Sequence, residues 1–154
     1  LEAARIARGN IRNIKDVKVA DLDAIVFPGG FGAAKNLCDF AMKGGGASAH
    51  PEVARLLKEV ALAGKPIGAI CIAPALIATI LGKELNPTLT IGNDSGTASE
   101  IEKTGARHQN CEVTDFVVDT KNRIVSTPAY MLATNISQVC EGIDKCVGAV
   151  IGMI

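Results

Sequence analysis

A mostly parallel α/β sandwich in three layers is the fold class this chain predicts, and three observations carry it. Short apolar runs of strand length occupy residues 23–27 and 66–70. Each runs into a corner rich in glycine or small residues, as buried strands of a parallel sheet do. Segments with helical apolar spacing stand between and after these runs, so strand and helix alternate along the chain.

The elements follow in order. Leu1-Glu2-Ala3-Ala4-Arg5-Ile6-Ala7-Arg8-Gly9 reads as the tail of a helix closed by Gly9, and with no initiator Met the chain is expected to be a fragment. Asp23-Ala-Ile-Val-Phe27 is a strand ended by Pro28-Gly29-Gly30. Residues 31–49, with Gly44-Gly45-Gly46, read as a loop holding one helical turn over 35–41. Pro51 opens a helix whose Val53, Leu56, Leu57, Val60 and Ala61 share one face, and Gly64 closes it. A strand over 66–70 then turns into a helix over 73–81, and 89–92 is a further short strand. Thr97 and Glu100 make a capping-box pattern for a helix that ends near Gly105. Strands over 113–118 and 124–126 are joined by a turn at 119–123, and a last helix runs over 131–147.

Composition removes several function classes. At 154 residues the chain has room for a substantial core in one domain, and 48% of it is hydrophobic. Lys and Arg number 16 against 16 Asp and Glu, so no basic surface for a polyanion is indicated. One Tyr and four Phe offer little stacking for nucleic acid. No run has the length of a membrane span or the pattern of a secretory signal. The five cysteines, Cys38, Cys71, Cys111, Cys140 and Cys146, are odd in number and lack paired zinc spacing; free thiols in a reducing compartment fit them, and no metal is expected.

The corner Gly68-Ala69-Ile70-Cys71-Ile72-Ala73-Pro74 carries the chemistry. A strand that turns at once into a helix pushes the corner side chain out of the backbone, which is the geometry of a nucleophile elbow. Ala69 and Ala73 are small, as the close approach of strand and helix demands, and Pro74 suits a first helical turn. The helix N-terminus beside Cys71 favours the thiolate. Pro28-Gly29-Gly30-Phe31-Gly32 ends a neighbouring strand. Its glycines satisfy either a tight turn or, paired with the elbow, an oxyanion hole shared with the Ile72 N–H. Thr127-Pro128-Ala129-Tyr130-Met131 ends a third strand, and the Thr127 hydroxyl is a candidate pocket group. His108 is either a satisfied structural residue or the general base; His50 is a neighbour of the Pro51 helix start. Asp94, Glu100 and Asp115 read as capping or solvent-facing groups, and the other four cysteines as packing residues.

Together these residues resemble the class I glutamine amidotransferase-like superfamily, in the branch of the PfpI proteases and deglycases. Within it the chain is most similar to the ElbB-like proteins, the isoprenoid biosynthesis proteins with amidotransferase-like domain. The resemblance rests on residues 27–37, on Gly64-Lys65-Pro66 leading to Cys71-Ile72-Ala73-Pro74, and on residues 127–133. It implies a flavodoxin-like fold, a single domain over 1–154 that lacks its N-terminal strand and helix, and a homodimer. It also implies a weak glyoxalase or deglycase activity without cofactor, with Cys71 as nucleophile and Gly29, Gly30 and Ile72 around the oxyanion. True glutaminases of the superfamily carry His-Pro-Glu where this chain has Thr127-Pro128-Ala129, so ammonia release from glutamine is disfavoured. Relatives often place His where Ile72 stands, and they draw a Glu from the first βα turn.

The expected function is therefore conversion of glyoxal, or a similar small 2-oxoaldehyde, to a hydroxy acid through a Cys71 hemithioacetal. Cys71 and His108 are the catalytic candidates; Gly29, Gly30, Ile72 and Thr127 are the binding candidates. The alternative is a redox-sensing or regulatory protein built on a reactive Cys71, and a glutaminase subunit ranks below both. The expected partner is a small aldehyde, with neither nucleic acid nor membrane. The expected compartment is the cytoplasm, or the mitochondrion if a targeting peptide precedes Leu1.

Overall fold

The computed structural model of the chain describes residues 2–132 and 135–154. Its strands are β1 (Ile25–Phe27), β2 (Ile67–Ile70), β3 (Thr88–Leu89), β4 (Arg107–His108), β5 (Val117–Asp119) and β6 (Ile124–Thr127). Its helices are α1 (Glu2–Ile6), α2 (Phe40–Lys43), α3 (Pro51–Leu62), α4 (Ala73–Leu85), α5 (Ser95–Lys103) and α6 (Ile136–Ile151). The main sheet runs β1-β2-β6-β5, and β3 pairs with β4 beside it. β1, β2 and β6 are parallel, in a register that aligns Ile25 with Ile67 and Ile70 with Thr127, while β5 is antiparallel to β6.

Side chains of a strand alternate between faces, and here both faces are covered. Ile67, Ala69 and Ile124 join α3 and α4 in one core, whereas Ile70 and Val125 join Val139, Cys146 and Val150 of α6 in another. The result is the expected three-layer α/β arrangement with a mostly parallel sheet. β2, central and covered twice, is buried at all four residues. Gly68 lets α6 approach: a Cβ there would lie 3.1 Å from a Val150 methyl.

Each helix has a local cause. α3 buries Val53, Leu56, Leu57 and Val60 on one stripe, starts on Pro51, and is capped by His50, whose Nδ1 accepts from the Glu52 N–H at 3.2 Å. α4 is apolar on nearly every side from Ala73 to Gly82 and is buried there, with exposed Lys83 and Glu84 in its last turn. It extends to Leu85 rather than 81, because Gly82 is not a terminator: a Cβ there would meet the Thr104 carbonyl at 2.5 Å. The helix stops at Asn86, which takes the left-handed conformation. At the start of the chain Gly9, at φ +82°, donates to the Ala4 carbonyl at 2.7 Å and closes the turn after α1, as expected.

Other boundaries moved for identifiable reasons. α5 begins at Ser95, because Asp94 rather than Thr97 is the cap; its Oδ2 accepts from the Thr97 N–H at 2.8 Å. The single turn expected over 35–41 is two short pieces, a π-helical turn Ala33–Leu37 and α2, split where Cys38 extends to bridge Ala49. β3 ends at Leu89, because the next N–H, that of Thr90, bonds to the Ser126 hydroxyl instead of a ladder partner. β4 is a two-residue strand of Arg and His that carries no apolar signal. Only the last part of 113–118 is strand, and Asp119 extends it. Residues 129–131 form a separate 3₁₀ turn before α6, which Asn135 caps. Leu1, and Ala133 at the end of the 127–133 run, lie outside the described residues.

Candidate functional site

The elbow is built by the turn from β2 into α4. Cys71 sits at φ +62°, a left-handed conformation that costs a residue with a side chain about 1–2 kcal/mol. Its N–H donates to the Thr127 carbonyl at 2.9 Å, which carries the β2–β6 pairing one residue past the strand and holds the strained corner. Ala69 and Ala73, on either side, are fully buried. Ala129, just past the end of the adjacent β6, is also held at positive φ, +45°. Such strain persists only where surrounding structure over-determines it, and it gathers at functional sites.

Gly29 lies against this corner. A Cβ at Gly29 would stand 2.5 Å from the Ile70 carbonyl and 2.9 Å from the Cys71 Cβ, at φ +86°, so the position admits only glycine. Gly30, at φ +82°, has open space where its Cβ would be and faces a cleft. The cleft is about 720 Å³ and is lined by Gly30, Cys71 and Ile72 with Phe31, Phe40, Met42 and Met131. Asp94, Thr97 and Glu100 of the α5 region form the opposite wall. Ile72 is the cap residue of α4, so the first N–H groups of that helix lie beside Cys71 without intrahelical partners. An oxyanion formed on a carbon bonded to Cys71 therefore meets bare backbone donors and the positive end of a helix.

The structure thus brings Cys71, Gly29, Gly30 and Ile72 together, with Gly29 packed beneath the elbow rather than lining the cleft. Thr127 acts through its backbone. Its hydroxyl is fully buried and donates to the Asp115 carbonyl at 2.8 Å, away from the cleft lining. His108 also stands outside that lining, on β4. Its Nε2 accepts from the Ile91 N–H at 3.2 Å, and burial holds its pKa below the ordinary histidine value, so it is a neutral structural acceptor. His50 is the α3 cap.

The remaining cysteines separate by environment. Burial pushes the Cys38 thiol up, Cys111 up to about 11 and Cys146 up to about 12, while Cys140 is exposed. Among the described residues no cluster of three or more His, Cys, Asp or Glu is placed to hold a metal, and no helix is long and apolar enough to cross a membrane.

Two acidic residues read from sequence as capping or solvent-facing groups also face the cleft. Asp94 caps α5, and its carboxyl is held below the usual range by the side chain and N–H of Thr97. Glu100 bonds the Lys103 ammonium at 2.5 Å and accepts from the Gly45 N–H at 2.8 Å, and these contacts hold its carboxyl low. Glu100 thereby ties the Gly44–Gly46 turn, and α2 with it, against α5. The three-glycine run was the available signal: a Cβ at Gly45 would lie 2.9 Å from the Glu100 carbonyl.

Comparison with known proteins agrees with this geometry. The family model described as the DJ-1/PfpI family matches residues 11–127. The human glutamine amidotransferase-like class 1 domain-containing protein 3, mitochondrial, is 44% identical over 97% of this chain and 58% of its own length. The rat ES1 protein homolog, mitochondrial, is 43% identical over 97% of this chain and 59% of its own. The chain thus spans under two thirds of the length of these curated relatives. A crystal structure of the isoprenoid biosynthesis protein with amidotransferase-like domain from Ehrlichia chaffeensis superposes with a TM-score of 0.90 at 36% identity, over 99% of this chain and 68% of that one. With a cysteine elbow, a glycine turn beneath it and these relatives, the chain belongs to the DJ-1/PfpI family, which includes cysteine-dependent enzymes.

Proposed function

We propose that the chain is a glyoxalase-type enzyme that converts glyoxal, or a similar small 2-oxoaldehyde, to a hydroxy acid without a cofactor. One observation carries the reading: a strained cysteine elbow opens on a largely apolar cleft at the N-terminal end of α4. The Cys71 sulfur bonds to the aldehyde carbon, and the carbonyl oxygen takes up negative charge facing the Gly30 and Ile72 N–H groups. The hydrogen on that carbon then moves to the adjacent carbonyl carbon as a proton, through an enediol, which leaves a thioester on Cys71. Water breaks the C–S bond, restoring the Cys71 thiol and releasing the hydroxy acid as its carboxylate and one proton.

The proton transfer needs a base. His108 is engaged by Ile91, so the reading assigns no transfer to it. The carboxylates on the cleft wall, Asp94 and Glu100, are both held below the ordinary range and are weak bases, which fits slow turnover. The same shortage favours a second reading, a redox-responsive Cys71 that is oxidised reversibly to the sulfenic acid. Glycated protein side chains, the substrates of a deglycase, present the same aldehyde-derived carbon to Cys71. A homodimer acting on a small aldehyde, with no nucleic acid or membrane partner, completes the proposal. The word mitochondrial in the names of the human and rat relatives favours that compartment over the cytoplasm.

The test is glycolate formation from glyoxal, followed by NMR, for the chain and for Cys71→Ala. The expected loss is at least about a thousandfold in kcat/KM, the scale on which a covalent nucleophile is removed. Activity that survives the substitution overturns the reading.

A further inference from the structure

The cleft is far larger than glyoxal requires. Its volume of about 720 Å³, in a cleft open to solvent, has room for a molecule of ten or more heavy atoms rather than only a two-carbon dialdehyde. Phe31, Phe40, Met42, Ile72 and Met131 give the lining an apolar wall, facing the polar one of Asp94, Thr97 and Glu100. Phe31 and Met42 are left 69% and 72% exposed on this lining, apolar surface that a bound group would remove from water.

The charged groups of the cleft are already occupied. Lys43 pairs with Asp39 at 2.6 Å, Glu100 with Lys103 and the Gly45 N–H, and Asp94 with the Thr97 N–H. An anionic substituent on the substrate finds no unpaired cation on the described lining, where Lys43 is the cation and is held by Asp39, whereas an uncharged apolar one finds a matching wall. An aryl ring suits this wall, since Phe31, with the Lys35 ammonium 4.7 Å from its ring centroid on one face, keeps its other face or an edge to stack on, and methionine sulfur packs well against aromatic edges.

We propose that the cleft beside Cys71 selects aldehydes and 2-oxoaldehydes that carry an uncharged apolar substituent, an aryl ring being the fitting case, over glyoxal. The proposal rests on the Cys71 reading above for its chemistry and on the cleft for its selectivity. With phenylglyoxal the steps are unchanged: sulfur adds to the aldehyde carbon, the hydrogen moves to the aryl-bearing carbon, and water releases mandelate and one proton.

Two arms test it in the intact 154-residue chain. The first compares kcat/KM for phenylglyoxal and for glyoxal. The ratio is expected to be at least about ten, the scale of added apolar contact in a pocket. Met42→Glu, at an exposed position that tolerates charge, is expected to lower that ratio about fivefold or more. A ratio at or below one, or a ratio that Met42→Glu leaves unchanged, overturns the proposal.

The second arm does not depend on turnover. N-phenylmaleimide and N-methylmaleimide are compared at Cys71, with Cys140 as reference in the same molecule. Here the thiolate adds to the double bond and the neighbouring carbon takes a proton. The phenyl preference at Cys71 is expected to exceed that at Cys140 about fivefold; equal preferences overturn the proposal. Absence of turnover with a retained phenyl preference removes the glyoxalase reading and leaves the cleft selectivity standing. Turnover without any phenyl preference does the reverse.

Discussion

Gly29 and Cys71 share one tight contact at the end of β2, and neither tolerates the other's displacement. At Gly29 an added methyl group would enter the Ile70 carbonyl and the Cys71 side chain at a φ that disfavours any Cβ. Gly29→Ala is therefore expected to destabilise the fold by about 2 kcal/mol or more, read by urea denaturation. It is also expected to lower glyoxal turnover about a hundredfold by moving the sulfur. His108 contrasts with it. The imidazole accepts from the Ile91 N–H in its neutral form, and burial lowers its pKa. A depressed histidine contributes stability that is present above its unfolded pKa of about 6.5 and is lost as pH falls through the folded value. His108→Phe should cost about 1–2 kcal/mol at neutral pH, as a partly buried N–H loses its acceptor. It should also flatten the stability slope below about pH 6.5, with little effect on glyoxal turnover. Sequence located the elbow because a cysteine flanked by small residues stands where an apolar strand runs into a helix. It left His108 open, because nothing local to residues 107–109 shows that the Ile91 N–H will claim the ring.

Among the elements, the turn between β5 and β6 is held by one buried carboxylate. Asp119 Oδ2 accepts from the Thr88 N–H and from the Asn122 amide, each at 2.8 Å, while Oδ1 accepts from the Asn122 N–H at 3.0 Å. Burial pushes its pKa up, but these hydrogen bonds outweigh burial and hold the carboxyl below the ordinary value. Its contribution is therefore in place above the unfolded carboxyl pKa of about 4 and is lost as pH falls through the lowered folded value. Asp119→Ala should cost about 2–3 kcal/mol at pH 7, since it leaves buried donors unpaired; the difference from the parent should shrink in acid. The same region shows why element boundaries were less legible than elements. α3 and β2 were readable from apolar spacing alone. β4 was not, because a two-residue strand of Arg and His is set by its partner β3. The start of α5 was misplaced because Glu100, which the capping pattern required, bonds instead to Gly45, 55 residues earlier.

At the scale of the whole molecule, backbone strain and the candidate site lie at one end of the sheet. Cys71 and Ala129 follow the last residues of β2 and β6, which are register partners, and the Gly29-Gly30 turn follows β1 on the other side. This is the carboxyl edge of the parallel strands, where open α/β sheets place their sites. Alternation of strand and helix was enough to predict that edge, and the apolar runs named the strands that form it. The cleft itself was not legible. Its walls come from α2, from the Gly44–Gly46 turn and from the start of α5, which are distant in sequence and tied by the Glu100 carboxylate.

An activated elbow makes Cys71 the reactive thiol of the five, and competitive alkylation reads this out. The native chain is treated at pH 7 with limiting iodoacetamide, and each cysteine is followed by site-resolved mass spectrometry. Exposure alone would favour Cys140, since Cys71 and Cys111 are partly buried and Cys38 and Cys146 are buried. The account predicts that Cys71 is alkylated first, about tenfold faster than Cys140. Alkylation of Cys140 at an equal or greater rate would contradict it.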